Sequence, residues 1–154
     1  MNIDFQEIII EKHEFNSSVQ PRSKKINVAY GVDRNFLFGT GISMTSVLVN
    51  NADIDVHFYI ATDYIDNDYL ESVERLTKMY STTVTILVFD NEAFRKLPST
   101  KSWTYAMYYR YFAFEYLCTT LSAVLYLDAD VICKGSLREL ADINFHSERS
   151  EERR

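Results

Sequence analysis

Little in this chain invites metal–thiolate or export chemistry. Its two cysteines, Cys118 and Cys133, show no Cys-x-x-Cys spacing, and the three histidines, His13, His57 and His146, are scattered, so no zinc pattern is present. Residues Met1 to Glu7 lack the basic start and apolar core of a signal peptide. No segment approaches the roughly 20 apolar residues a spanning helix needs. Positive charge is short as well: 16 Lys and Arg stand against 22 Asp and Glu, a net charge of −6 that argues against nucleic acid as a partner. No internal repeat is visible. These absences leave a protein of the reducing cytoplasm.

What is present reads as one domain. The 154 residues suffice for one well-buried core and are too few for two ordinary domains. With 47% hydrophobic and 25% charged residues the composition is that of a soluble globular chain. Eleven Tyr and ten Phe are plentiful, and while most belong to the core, some are expected to line a pocket or an interface.

Residues 1–25 read as a polar lead-in ending in Pro21-Arg22-Ser23-Lys24-Lys25, a solvated entry to the first strand. Only Ile8-Ile9-Ile10 offers a short edge strand there. An alternation follows: strand Ile26–Tyr30, helix Asn35–Val49 with apolar Phe36, Ile42, Val47 and Val49, strand Val56–Ala61, and helix Asp66–Tyr80 with Leu70, Val73, Leu76 and Met79 spaced by three or four. Strand Val84–Phe89, an aromatic-rich helix Thr104–Leu117 and strand Val124–Leu127 complete it. Strands alternating with helices predict an α/β fold with a mostly parallel sheet and helices on both faces. Right-handed crossovers would then gather the strands' carboxyl ends on one rim. Residues 26–141 form the expected domain. Residues 142–154 form a divergent tail whose last eight positions hold no apolar side chain, and disorder is expected there.

The chemistry concentrates in Val124-Leu125-Tyr126-Leu127-Asp128-Ala129-Asp130-Val131. Acids are depleted inside strands, so two of them after an apolar run belong at a crevice, where open α/β sheets bind their ligands. Alternate residues of an extended chain share a face, which would let Asp128 and Asp130 converge on one cation. A hard divalent ion held by one or two carboxylates, with its remaining positions open to phosphate oxygens, suits a phosphorylated donor. The bland alternative is a pair that caps a turn or the helix near Ser136.

Other positions carry less. In the loop Tyr30-Gly31-Val32-Asp33-Arg34-Asn35-Phe36, Gly31 would let backbone approach a ligand, and Asp33 or Asn35 would cap the next helix. Alternatively, Asp33 accepts the N3–H of a uracil while Phe36 stacks on the ring. Gly39-Thr40-Gly41 falls inside the predicted helix without a third glycine, so this is no dinucleotide fingerprint. Arg110, within the apolar run Tyr105 to Phe112, needs an anion or an exit to solvent. Glu115 and the rim, with a sugar or Asp128, are the two candidates. His57 reads as a structural histidine and Cys133 as an inert thiol.

Tyr126-Leu127-Asp128-Ala129-Asp130 resembles the Asp-x-Asp motif of retaining glycosyltransferase family 8, with Ala29–Phe36 and Tyr109-Arg110 in that family's order and spacing. The blocks Ala29–Asp33, Pro98–Trp103 and Cys133–Leu137 look like those of bacterial lipopolysaccharide core glucosyl- and galactosyltransferases. The resemblance covers roughly residues 26 to 140. It implies a Rossmann-like, GT-A type nucleotide-diphospho-sugar domain with a UDP-sugar donor and retention at the anomeric carbon. Gly31, Asp33, Asn35 and Phe36 would hold the uridine, Asp128 and Asp130 would ligate Mn²⁺ or Mg²⁺, and Arg110 and Ala129 would join the nucleotide-sugar site. No protein nucleophile is assigned.

The acceptor would be the lipopolysaccharide outer core at the cytoplasmic membrane face, with glucose favoured over galactose. Family members are about twice this long, so a chain cut short near Leu140 is expected, and His146, in the divergent tail, is not the family's metal-ligating histidine. Two competitors stand beside this reading. One is a binding remnant that holds UDP-sugar without transferring it. The other is a haloacid-dehalogenase-like phosphatase, disfavoured because Val131-Ile132 follows the acids where Gly-Thr is needed.

Overall fold

The computed structural model describes residues 5–17, 22–95, 97, 98 and 105–143. Residues 99–103 of the Pro98–Trp103 block, Thr104 and the tail from 144 onward, His146 included, lie outside the described residues. A helical turn, α1 (Phe5–Ile8), leads into β1 (Ile9–Asn16). Then come β2 (Lys25–Gly31), a 3-10 turn (Arg34–Phe36), α2 (Leu37–Asn50), β3 (Asp55–Thr62), α3 (Asn67–Tyr80) and β4 (Thr83–Phe89). The short α4 (Asn91–Phe94), α5 (Ala106–Cys118), β5 (Leu125–Tyr126) and the short α6 (Arg138–Ala141) follow.

The strands form one sheet in the order β1-β4-β3-β2-β5. The pairs β2–β3, β3–β4 and β2–β5 are parallel, and β1 runs antiparallel to β4. The four parallel strands therefore end on one rim. β4 shows why the sheet is covered twice: successive side chains point to opposite faces, and nearly all of its residues are apolar. Val84, Ile86 and Val88 join Val28, Tyr30, Phe58 and Ile60 under Met44, Val47 and Leu48 of α2 and Val73 of α3. Leu87 and Phe89 face the other way, onto Ile8, Phe94, Tyr109 and Ala113. Helices on both faces of a mostly parallel sheet match the expected α/β class.

Several local expectations change. β1 is a full edge strand, with Phe15 opposite Val84 and Asn16 opposite Thr83, where only three isoleucines were expected to contribute. Its exposed Glu11, Lys12 and Glu14 hide the strand signal and suit an edge, since charged side chains oppose pairing with another chain. The buried stripe of α2 is Leu37, Thr40, Ser43, Met44, Val47 and Leu48, whereas Phe36 (52% exposed), Ile42 and Val49 face outward. In α3, Thr77 takes the place expected for Met79, which is 73% exposed at the far side of the last turn. Arg22 is no solvated entry residue: its guanidinium donates to Ile54 O at 3.1 Å and pairs with Asp55. At the other end, Asp142 forms an ion pair with Lys24.

Candidate functional site

The rim site begins with a turn. β5 stops at Tyr126, Leu127 N donates to Ala29 O at 3.0 Å, and Val131 N then closes a turn onto Asp128 O at 3.1 Å. Asp128 and Asp130 are therefore presented by a turn and not by alternation along a strand, as the sequence had suggested. Ala129 between them is 7% exposed, while both acids are exposed. α2 comes close to it, which requires a bare Cα at Gly39: a Cβ there would stand 3.1 Å from Ala129 O. Burying the middle residue pushes its two neighbours outward. Among the described residues neither carboxylate caps a helix.

Beyond the turn the chain is stitched to α2. Cys133 N donates to Ser46 Oγ at 2.9 Å, Asn50 Nδ2 to Cys133 O at 3.1 Å, and Leu137 N to Asn51 Oδ1 at 2.6 Å. Buried Asn51 also donates to Gly135 O at 3.3 Å. A buried amide that bonds both ways across a gap fixes the loop strongly. Cys133 packs against the core and its thiol donates to Gly135 O at 3.1 Å, a structural role.

Beside the turn lies a cavity of about 280 Å³, walled by Gly31, Val32, Asp33, Phe36, Ala106, Met107, Arg110, Tyr126, Asp128, Ala129 and Asp130. It gathers most of the residues that the sequence singled out, from three distant segments. Asp33 caps the 3-10 turn, its Oδ1 accepting from Asn35 N at 2.9 Å. The capping alternative is thus realised, with a second oxygen left over. Asn35 gives its amide to that cap and is not part of the wall. Arg34 stacks over Tyr64, its guanidinium carbon 4.4 Å from the ring centre, and so ties the turn to the segment after β3. Phe36, half exposed, keeps an open ring face.

Gly31 also has a structural reason to lack a side chain. A Cβ there would meet Arg110 N at 2.9 Å and Tyr109 C at 3.3 Å, so α5 packs directly against it. Tyr109 beneath is buried, and burial, then the neighbouring Asp63, holds its phenol protonated well above the usual tyrosine range. The next residue, Arg110, emerges at the rim. Of its two candidate partners the structure selects Asp128, Nη2 to Oδ1 at 3.8 Å.

Tyr126 is one of the wall residues that the sequence left without a role, with Val32, Ala106 and Met107. Arg110 Cζ lies 5.0 Å from its ring centre, and its phenol donates to Gly31 O at 3.5 Å. Burial raises the phenol's pKa, with Arg110 opposing, so it remains a donor. The available signal was its position two residues before Asp128. The donor set suits a hard cation: two exposed carboxylates two positions apart beside an open cavity, with no third His, Cys, Asp or Glu grouped with them among the described residues. Such an ion would take its remaining ligands from water or from a bound diphosphate.

The opposite rim holds a smaller hollow of about 120 Å³ lined by Lys25, Asp55, Val56, His57, Ser81, Thr82 and Thr83. Its polar groups serve the fold. His57 Nε2 shares a hydrogen bond with Thr85 Oγ1 at 2.8 Å and Nδ1 one with Tyr59 OH at 3.1 Å, which fulfils the structural reading of this histidine.

Known proteins place this geometry in context. The family model described as glycosyl transferase family 8 matches residues 27–150. The chain is 42% identical over 140 residues to a lipopolysaccharide 1,3-galactosyltransferase of Salmonella typhimurium, covering 91% of this chain and 42% of that one. It is 35% identical over 152 residues to a lipopolysaccharide 1,2-glucosyltransferase of Escherichia coli, covering 96% and 45%. The chain thus spans under half the length of these curated relatives. Among solved structures, the galactosyltransferase LgtC, crystallised with donor and acceptor sugar analogues, superposes with a TM-score of 0.65 at 21% identity, covering 77% of this chain and 43% of LgtC. That likeness concerns the fold.

Proposed function

Because this chain belongs to glycosyl transferase family 8, we propose that its rim cavity binds a UDP-hexose and serves transfer of the hexose to the lipopolysaccharide outer core. The observation that carries the proposal is the exposed pair Asp128 and Asp130, held on either side of buried Ala129 at a cavity that also receives Arg110. Residues 26–141 would form the nucleotide-sugar domain. Asp33 would accept from the base through its free oxygen, Phe36 would stack on it, and the backbone at Gly31 would border the ribose. Asp128 and Asp130 would hold Mn²⁺ or Mg²⁺, with Ala129 fixing their separation. Arg110 would neutralise the diphosphate. A divalent cation bound there acts as a Lewis acid for the charge that gathers on departing UDP. In the transfer, the bond from the anomeric carbon to the diphosphate oxygen breaks and one to an acceptor hydroxyl forms, with retention.

Relatives of both hexose specificities match, so the donor is proposed as a class. Glucose in α1,2 linkage is the preferred member and galactose in α1,3 linkage the alternative. Among the described residues no helix is long and apolar enough to cross a membrane. The proposed setting is the cytoplasmic face of the inner membrane, where the acceptor is assembled.

Calorimetry of the chain with UDP and Mn²⁺ tests the donor site. Binding is expected, and Asp128→Asn or Asp130→Asn should weaken it at least about tenfold, equivalent to about 1.4 kcal/mol. Absence of any UDP binding with Mn²⁺ present would sink the proposal. A second reading is a UDP-sugar-binding module without transfer. Incubation with UDP-[¹⁴C]glucose and truncated lipopolysaccharide separates the two by the appearance of labelled lipid.

A further inference from the structure

The two carboxylates at the cavity differ in company. Asp128 meets Arg110, Nη2 to Oδ1 3.8 Å. No hydrogen bond or ion pair reaches Asp130 from any described residue. Arg110 is constrained from behind, because its backbone nitrogen abuts the bare Cα of Gly31. In front, its guanidinium rests beside the Tyr126 ring, 5.0 Å from the centre. The side chain therefore has a fixed root, an aromatic shelf and a weakly held end. With side chains 40% and 58% exposed, the pair with Asp128 is long and solvent-screened. A diphosphate, whose oxygens match the guanidinium fork in a bidentate manner, is the stronger partner.

We propose that Arg110 is a positioning residue that screens Asp128 from a divalent cation until a diphosphate takes its guanidinium, so that cation and nucleotide binding reinforce one another. This rests on the reading of the cavity as a UDP-sugar site. Without nucleotide, Asp130 is the carboxylate open to a cation. When Arg110 turns to phosphate along the Tyr126 shelf, Asp128 Oδ1 is released and both acids serve. Linkage requires that the factor by which nucleotide tightens the cation equal that by which the cation tightens nucleotide.

The test is Mn²⁺ titration followed by electron paramagnetic resonance of the free ion, with and without UDP, which needs no catalytic turnover. Arg110→Gln should bind Mn²⁺ alone about two- to fivefold tighter than the unaltered chain, the range a screened surface pair allows. The extra tightening on adding UDP should shrink in the same variant. In an Asp128→Asn background the gain from Arg110→Gln should vanish, and in an Asp130→Asn background it should persist. Should Arg110→Gln fold poorly by circular dichroism, Arg110→Met keeps the stem's packing and serves the same comparison. Unchanged or weaker Mn²⁺ binding without UDP would overturn the proposal. So would a gain that survives Asp128→Asn, which would make Arg110 only a distant charge. If UDP does not bind the unaltered chain at all, the donor reading fails, while the nucleotide-free titration still decides whether Arg110 competes for Asp128.

Discussion

The Cα of Gly31 and the backbone nitrogen of Arg110 are so close that a single added methyl group would stand 2.9 Å from that nitrogen. The end of β2 and the first turns of α5 are thereby locked, and the rim cavity takes its shape from the contact. Backbone cannot retreat as a flexible side chain could. Gly31→Ala should therefore cost about 1 to 3 kcal/mol of stability, the usual penalty for overpacking, measured by urea unfolding. Because Arg110 would be displaced with its helix, UDP binding in the presence of Mn²⁺ should weaken too. Stability equal to that of the unaltered chain would show that α5 yields freely.

Acid should weaken this fold through His57. Burial, then Lys25 and Lys12, pushes its pKa down from 6.5 to about 4. Above pH 6.5 the ring is neutral in folded and unfolded chains alike. Between 6.5 and 4 only the unfolded chain takes up the proton, so the stability that His57 contributes when neutral is lost as pH falls through that window. The loss should be on the order of 2 to 3 kcal/mol. His57→Gln, which can still bond Thr85, should flatten the pH dependence of chemical denaturation between pH 6.5 and 4. An identical slope in the variant would remove His57 from the account.

Tyr69 carries a buried hydroxyl with no hydrogen-bond partner among the described residues, while its ring packs against the main core. Removing an unsatisfied polar group lifts a desolvation cost without opening a cavity of any size. Tyr69→Phe should leave thermal stability unchanged or raise it by up to about 1 kcal/mol. A loss greater than this would reveal a water bridging the hydroxyl.

The parts of the fold that announced themselves were those whose burial is written in one dimension. Val84 to Phe89 is apolar almost throughout because both faces are covered, and Val73 of α3 sits on the stripe its spacing implied. The acid pair was visible for a related reason, since carboxylates rarely follow an apolar run without a task. What stayed hidden depends on the third dimension. Gly31 and Gly39 are small because a remote backbone reaches them, α5 in one case and the Ala129 carbonyl in the other. Asn51 reads as an ordinary helix-end residue until the chain returns to it more than 80 positions later. Tyr126 looked like a strand residue, yet its ring and phenol organise Arg110 and Gly31. The choice of Asp128 over Glu115 as the partner of Arg110 was equally a matter of tertiary direction.

The placement of β1 bears on how the molecule comes together during synthesis. Its partner β4 arrives late, Asn16 and Thr83 lying 67 positions apart, yet the two strands are hydrogen-bonded neighbours at the sheet's outer border. Closing so long a span is slow compared with the local βαβ crossovers. A nascent chain on the ribosome would thus carry this ribbon unpaired until β4 had emerged. Its charged side chains would then guard against association with a neighbouring polysome's product.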